Sequence, residues 1–182
     1  MKRLKDFLKK LLKKLVKEVI EESSALTAEK RIVVFIDFEN IIKNLEFNIS
    51  IDFKKLRSML LEIGNIDFVN VYIPSHLIGY DEMLREFDDF GCRFIYCPKS
   101  AVKTDTIKLE DTVDIHMIKD AQYFAQFKEI TGLVIMSADK HMVHCVNAFK
   151  NDGKIVHVWT SGNISPSLKA TSDIFGKVPI KK

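Results

Sequence analysis

Cysteine is scarce in this chain of 182 residues, and the few cysteines present do not form a close pair. They are Cys92, Cys97 and Cys145, and no C-x-x-C spacing occurs among them. An odd number without such a pair argues against a disulfide framework and favours a reducing compartment. We therefore expect a cytoplasmic protein.

Long uncharged apolar runs are lacking as well. No stretch is long enough and free enough of charge to span a bilayer. Lysines interrupt every apolar run near the N-terminus, so we expect no secretory signal there. Acidic residues are outnumbered in that region: residues 1–22 hold eight Lys/Arg and only four Asp/Glu. Their net charge is +4, whereas the net charge of the whole chain is +3. The basic bias therefore belongs to the N-terminal segment and not to the remainder, which carries −1.

Residues 2–22 have the pattern of an amphipathic helix, and residues 22–30 that of a polar hinge. The apolar positions recur at helical spacing: Leu4, Phe7, Leu8, Leu11, Leu12, Leu15, Val16, Val19 and Ile20. The commonest role of such a stripe is burial against protein, which here means its own domain, a second subunit of a homodimer or a partner protein. The alternatives are an anionic membrane surface or nucleic acid held by the lysines. We divide the chain into residues 1–30, the basic helix and hinge, and a domain over 31–182.

From residue 31 onward, apolar runs alternate with helical patterns. The runs predict strands over 32–36, 66–73, 92–97, 132–136 and 154–159, and the patterns predict helices over 52–63, 79–90, 112–128 and 140–150. This alternation predicts right-handed crossovers and a mostly parallel five-stranded sheet with helices on both faces, a three-layer α/β/α Rossmann-like fold. Gly91 and Gly153 are predicted to end helices.

Two of the predicted strands end in an aspartate, Asp37 after the first and Asp139 after the fourth. Parallel sheets place ligands beyond the carboxyl ends of their strands, so the two carboxylates would face each other if these strands are neighbours. Asp114 falls in the first turn of the helix predicted over 112–128, near the same edge. Asp120 lies almost two turns further on and on a different face, so it is the weaker member.

A cluster of carboxylates stays ionised only with a cation among its members, and oxygen ligands suit Mg²⁺ or Mn²⁺. The reaction that such sites commonly perform is phosphoryl chemistry with an activated water. Each aspartate taken alone fits a simpler role equally well. Asp37 and Asp139 are also suited to turns or helix N-caps, and Asp111 suits a cap better than a metal site.

Four short motifs, in this order along the chain, resemble those of one known family. They are Asp37-Phe38-Glu39-Asn40, then Val113-Asp114 with Asp120-Ala121, then Ser137-Ala138-Asp139-Lys140-His141-Met142, and finally Ser165-Pro166-Ser167-Leu168 with Ser172-Asp173-Ile174-Phe175. The chain resembles the NYN domain family, a branch of the PIN-like ribonuclease superfamily, and is most similar to its small prokaryotic members. The resemblance implies a metal-dependent endoribonuclease acting on RNA, with Asp37, Asp114 and Asp139 as catalytic metal ligands and Asn40 as a supporting contact.

The sequence departs from the family pattern at two positions. His141 stands where the family has a second aspartate, and Ala138 stands where it has a glycine. The histidine removes one negative charge from the cluster, which weakens the case for catalysis more than the case for the fold. The alternative function is therefore a catalytically weak or inactive module that binds RNA or protein and is recruited through its N-terminal helix.

Several further residues are candidates for substrate contacts. Ser137 and His141 are expected to orient water or phosphate, and Lys99, Lys103 and Lys140 to hold the RNA backbone. The lysines of the predicted loop over 98–108 fit an ordinary solvated loop equally well. Three aromatic residues either stack on bases or belong to the core: Phe38, Tyr96 and Trp159.

Overall fold

The structure is a computed structural model. It describes residues 10, 13–16, 29–43, 45, 49–79, 81–102, 108–110 and 112–181.

A six-stranded sheet forms the centre of the domain. Its strands are β1 (Arg31–Asp37), β3 (Asn65–Pro74), β4 (Arg93–Cys97), β7 (Gly132–Met136), β8 (Ile155–Thr160) and β9 (Ile174–Lys177). They lie in the order β4-β3-β1-β7-β8-β9, and every neighbouring pair is parallel. The chain builds outward from β1 in one direction and then from β7 in the other. The strand order therefore reverses between β1 and β7, where open α/β sheets form their ligand crevice.

Helices cover both faces of this sheet. They are α1 (Phe38–Ile42), α2 (Phe53–Ile63), α3 (Asp81–Phe90), α4 (Val113–Ala125), α5 (Val143–Asn151) and α6 (Pro166–Thr171), with 3₁₀ turns over Ser75–Leu77 and Lys140–Met142. Successive residues of a strand point to opposite faces. Val34 and Ile36 of β1 accordingly pack with α2 and α3, whereas Val33 and Phe35 pack with α4 and α5. The predicted three-layer α/β/α architecture is confirmed.

All five predicted strands and the four predicted helical regions are present, with shifts of a few residues at their ends. The sheet has six strands and not five, because β9 forms an additional parallel edge. Part of the predicted loop over 98–108 is an antiparallel ribbon of β5 (Ser100–Val102) and β6 (Lys108–Glu110). A second short ribbon pairs β2 (Ser50–Ile51) with β10 (Ile180–Lys181). Gly91 and Gly153 adopt φ angles of 89° and 71°, in keeping with their predicted role at helix ends.

The predicted N-terminal helix lies largely outside the described residues. Lys10 and residues 13–16 are helical. The division of the chain at residue 30 stays a prediction. Within the part of the chain that the structure describes, no helix is both long enough and apolar enough to cross a membrane.

Candidate functional site

The crevice between β1 and β7 contains the predicted carboxylates. Asp37 is the last residue of β1 and falls on the same face as Val33 and Phe35, toward α4. Asp139 follows β7, which pairs directly with β1, and Asp114 lies in the first turn of α4. These three residues line one pocket of about 170 Å³. The structure thus brings together side chains from three separate elements, as the sequence predicted.

Asp37 and Asp139 also serve as caps. Asp37 accepts a hydrogen bond from the backbone N–H of Asn40 at 3.1 Å and so begins α1. Asp139 accepts one from the backbone N–H of His141 at 2.8 Å, at the start of the following 3₁₀ turn. The capping role and the clustered position therefore coexist in the same side chains. The N-cap of α4 is Thr112, whereas Asp111 lies outside the described residues.

Burial distinguishes Asp37 from the other two carboxylates. Asp37 is buried, while Asp114 and Asp139 are partly exposed. Burial raises the pKa of Asp37 from 3.8 to about 6. The hydrogen bonds from Asn40 and Ser137 lower this pKa, and the charges of Asp114 and Asp139 raise it further. The ionised form of Asp37 is thus disfavoured wherever no positive charge compensates for it.

Ser137 and Asn40 join the two strand ends. The Ser137 hydroxyl donates to Asp37 Oδ2 at 2.9 Å, and its oxygen accepts from the Asp139 backbone N–H at 3.2 Å. Asn40 Oδ1 accepts from the backbone N–H of Ala138 at 2.8 Å. Ser137 is fully buried. These bonds indicate that Ser137 holds the aspartates in place and is itself shielded from the crevice.

His141 lies between two of the carboxylates. Its Nδ1 is 2.9 Å from Asp114 Oδ2 and 3.2 Å from Asp139 Oδ1. A carboxylate only accepts hydrogen bonds, so these contacts place a proton on Nδ1, and an incoming ligand would meet Nε2. One ligand atom from each of Asp114, Asp139 and His141 lies within 4.8 Å of the others, which is close enough to hold one metal ion.

Sequence reasoning missed a second charged group on the wall of the crevice. Glu39 and Lys43 line the pocket, and Lys43 Nζ lies 2.7 Å from Glu39 Oε1. His76, from the 3₁₀ turn after β3, lies 3.3 Å from the same oxygen. Burial alone would raise the pKa of Glu39, but Lys43 and His76 outweigh it, and the pKa is lowered. The i,i+4 spacing of Glu39 and Lys43 would have revealed this pair if α1 had been predicted.

Other predicted residues lie elsewhere. The Tyr72 hydroxyl donates to Asp120 Oδ2 at 2.7 Å, so Asp120 faces β3. Phe38 and Trp159 are buried in the core, so neither is placed to stack on a base, whereas Tyr96 is exposed on the edge strand β4. Lys140 and Lys99 are exposed, the former beside Asp139 and the latter just beyond β4. Lys103 lies outside the described residues.

A parallel α/β sheet with helices on both faces, and with acidic side chains gathered at its topological switch point, defines the class of protein: an α/β domain of the Rossmann-like type. The sequence profile of the NYN domain matches residues 31–178. The chain therefore belongs to the NYN domain family and has its PIN-like nuclease fold.

Comparison with solved structures supports the fold. The crystal structure of VPA0982, a protein of unknown function from Vibrio parahaemolyticus, superimposes with a TM-score of 0.67 at 15% identity, covering 84% of this chain and 94% of that one. Two weaker matches are the structures of LpCGTa in complex with UDP and of Sa239. Their TM-scores are 0.41 and 0.42, at 9% and 10% identity. They cover 75% and 82% of this chain, and 32% and 60% of their own. A search of curated proteins found no significant match.

Proposed function

We propose that the chain is a divalent-metal-dependent ribonuclease that hydrolyses RNA phosphodiester bonds in the crevice between β1 and β7. The observation that carries this proposal is the convergence of Asp37, Asp114 and Asp139 from three elements on one pocket. Family membership favours RNA as the substrate. Like charges held this close repel one another unless a cation lies among them.

The donor set fits a divalent ion. Asp37 is buried beside two other carboxylates, and burial, with their charges added to it, raises its pKa. A bound cation would stabilise its ionised form. Carboxylate oxygens suit Mg²⁺ and Mn²⁺, whereas an imidazole ligand favours Mn²⁺ over Mg²⁺. With His141 in the cluster, Mn²⁺ is the better-matched ion.

The residues then have distinct roles. Asp37, Asp114 and Asp139 would hold the ion, and Ser137 and Asn40 would position them. When bound, the ion lowers the pKa of a water and neutralises charge on the phosphate. His141, oriented through Nδ1 by two carboxylates, would present Nε2 to the ion or to a phosphate oxygen.

Positive side chains around the crevice would hold the RNA backbone. Lys43 lines the pocket, Lys140 follows Asp139 directly, and Lys99 lies beyond the same edge of the sheet. Lysines of this kind supply sequence-independent affinity for phosphates, which weakens as the salt concentration rises. Lys103 belongs to the same group by its place in the sequence.

The test is cleavage of a labelled RNA with Mn²⁺ or Mg²⁺ by the full chain and by Asp37→Asn, Asp114→Asn and Asp139→Asn. Each variant should lose activity by about 100-fold or more, since even outer-shell changes at metal sites cost 10- to 100-fold. The matched control is Asp89→Asn, which changes an exposed aspartate of α3 and should cleave normally. Mn²⁺ should raise the melting temperature of the wild type and not of Asp37→Asn. Equal cleavage by all the proteins would contradict the assignment.

His141 also favours a second candidate function, an RNA- or protein-binding module without catalysis. Its ring lies between Asp114 and Asp139, where the family pattern supplies a carboxylate instead. RNA binding that persists in EDTA, with no cleavage under either metal, would select this function. Binding lost together with the metal would instead favour the nuclease.

A further inference from the structure

An aromatic pocket lies at the opposite edge of the sheet from the acidic crevice. It has a volume of about 540 Å³, and its wall includes Phe68, Tyr123, Phe124 and Phe127 together with Arg31 and Asp67. Phe68, Tyr123 and Phe127 are 45%, 58% and 39% exposed, whereas Phe124 is buried. Exposed aromatic side chains gathered in one place are typical of an interaction surface.

The four rings form one continuous cluster joined to the core. Phe124 is 5.4 Å from Phe68, 5.5 Å from Tyr123 and 6.2 Å from Phe127, measured between ring centroids. Its other side meets Phe35 of β1 at 5.8 Å. The floor of the pocket is therefore apolar and continuous with the packed interior.

The chain enters the domain at the rim of this pocket. Arg31, the first residue of β1, lines the pocket and pairs with Asp67 at 3.0 Å. The residues just before it are tied to the start of β3. The backbone N–H of Asn65 donates to the Lys30 carbonyl at 2.7 Å, and the Asn65 side chain donates to Glu29. The segment that precedes residue 29 therefore starts beside the aromatic rings.

That preceding segment carries the apolar stripe that the sequence predicts for residues 2–22. Its described residues Leu15 and Val16 are helical and are 51% and 49% exposed. A helix over residues 2–22 would be about 31 Å long. The six residues 23–28 can span at most about 20 Å. The short connection therefore keeps the C-terminal end of the predicted helix within about 20 Å of residue 29, close enough to reach the pocket.

The charges around the pocket are balanced, with Arg31 and Arg93 against Asp67 and Glu129, so charge sets the orientation of the contact and not its strength. Residues 1–22 carry +4 and the rest of the chain −1. Glu129 lines the pocket and can meet a lysine of the segment. The short tether also gives the segment a high effective concentration at its own pocket, which favours it over a second copy of the chain in dilute solution.

We propose that the apolar stripe of residues 2–22 docks into the aromatic pocket of the same chain. The occupant is the chain's own N-terminal segment, and the contact closes over Phe68, Tyr123 and Phe127. This inference is independent of the nuclease proposal, because it concerns the opposite edge of the sheet.

Hydrogen exchange of the full chain, read by mass spectrometry, tests this docking from both sides. Tyr123→Lys in the pocket should speed exchange in residues 2–22 about tenfold, and Val16→Lys in the segment should do the same at the C-terminal end of α4. The control is Ile180→Lys, an equivalent change at a 51% exposed residue of β10, which should alter neither region. Phe68→Lys repeats the test from β3 in case Tyr123→Lys disturbs α4.

Two results would overturn the proposal. One is unchanged exchange of residues 2–22 in both pocket variants. The other is protection that disappears on dilution, together with a solution mass of twice 21.0 kDa, because the occupant would then be the segment of a second copy. A mass of 21.0 kDa, with reciprocal loss of protection in the two kinds of variant, supports docking within one chain.

Discussion

Ser137 Oγ lies 2.9 Å from Asp37 Oδ2, although 100 residues separate the two in the chain. The same oxygen accepts the backbone N–H of Asp139. One buried hydroxyl thus joins the end of β1 to the loop after β7 and fixes two of the three proposed metal ligands relative to each other. The geometry of the crevice therefore depends on a residue that does not reach its surface.

Replacing Ser137 by alanine should disturb both stability and metal binding. Asp37 would lose a donor and the Asp139 N–H an acceptor, in a buried setting. The free energy of unfolding should fall by about 1–3 kcal/mol, and Mn²⁺ affinity by about tenfold. Urea unfolding and calorimetric titration measure the two quantities. Ser172→Ala removes a partly exposed hydroxyl that donates to the Lys169 carbonyl and lies outside the crevice, and it should leave Mn²⁺ affinity unchanged. Equal losses of affinity in both variants would count against the positioning role.

The raised pKa of Asp37 predicts a pH-dependent stability in the absence of metal. The pKa of an unperturbed aspartate is 3.8, and burial is the main reason that the pKa of Asp37 rises to about 6 in the folded protein. The protonated carboxyl therefore stabilises the fold, an effect fully present below the reference value and lost as the pH rises through about 6. The shift corresponds to about 3 kcal/mol. Asp37→Asn stays neutral at every pH. Its free energy of unfolding, relative to that of the wild type, should therefore rise by roughly this amount between about pH 4 and pH 8.

Urea unfolding in EDTA across that pH range measures the difference between Asp37→Asn and the wild type. Asp89→Asn, at an exposed site, serves as the control and should show a small difference that barely changes with pH. A constant difference for Asp37→Asn would mean that the carboxyl is not desolvated as the structure indicates.

Gly176 meets Trp159 closely enough that alanine cannot be accommodated there without movement. A Cβ at Gly176 would lie 2.6 Å from Cδ1 and 2.7 Å from Nε1 of the buried indole. Gly176→Ala should therefore destabilise the fold by about 1–3 kcal/mol through overpacking. Gly79→Ala is the control, since nothing lies within 4 Å of its Cβ. Trp159 is the single tryptophan, so its fluorescence reports both unfolding and the local shift. Equal stability of the two variants would show that β9 can shift to accommodate the added methyl group at little cost in stability.

The fold was largely predictable because its inner strands are continuous apolar runs. Residues Val33 to Ile36 and Gly132 to Met136 are buried on both faces, and such runs read clearly in a sequence. The edge strand β9 was missed because it has four residues, partly exposed, and includes Gly176. The ribbon of β5 and β6 was missed for a similar reason, since three-residue strands show no periodicity.

The site was predictable where it follows from strand topology and not where it depends on tertiary contacts. Asp37 and Asp139 face each other because their strands are adjacent, a consequence of a general rule for parallel sheets. The contact of His76 with Glu39 joins a 3₁₀ turn to a helix 37 residues away in the chain, and no local sequence pattern predicts it. Phe38 appeared available for stacking because it follows a strand, but α1 turns its ring into the core.

Tyr72, which is buried, and Asp120, which is partly exposed, form a hydrogen-bonded pair that a double-mutant cycle can isolate. The Tyr72 hydroxyl donates to Asp120 at 2.7 Å, and burial and Asp120 both raise the pKa of Tyr72. Tyr72→Phe should lower the free energy of unfolding by about 1–2 kcal/mol. Asp120→Asn should cost less in the Tyr72→Phe background than in the wild type. Tyr96→Phe, at an exposed hydroxyl, is the control. Strictly additive losses would mean that the two side chains are not coupled.

His141 is the residue that decides how well the crevice binds Mg²⁺. Its ring contacts Asp114 and Asp139 through Nδ1 and contributes no negative charge to the cluster. His141→Asp adds a carboxylate and removes the ring, and since affinity rises with ligand charge, Mg²⁺ should bind about tenfold tighter. If the chain is a nuclease, Mg²⁺-dependent cleavage should rise with it, while the preference for Mn²⁺ should weaken.

Two variants separate the causes of that gain. His141→Ala removes the ring without adding charge, so it reports whether the imidazole competes with the ion for Asp114 and Asp139. His144→Asp makes the same exchange at an exposed position three residues further along, outside the cluster, and should leave Mg²⁺ affinity unchanged. Calorimetric titration of all four proteins ranks them without reference to cleavage. If His141→Asp binds Mg²⁺ no more tightly than the wild type does, then position 141 is not part of the metal site.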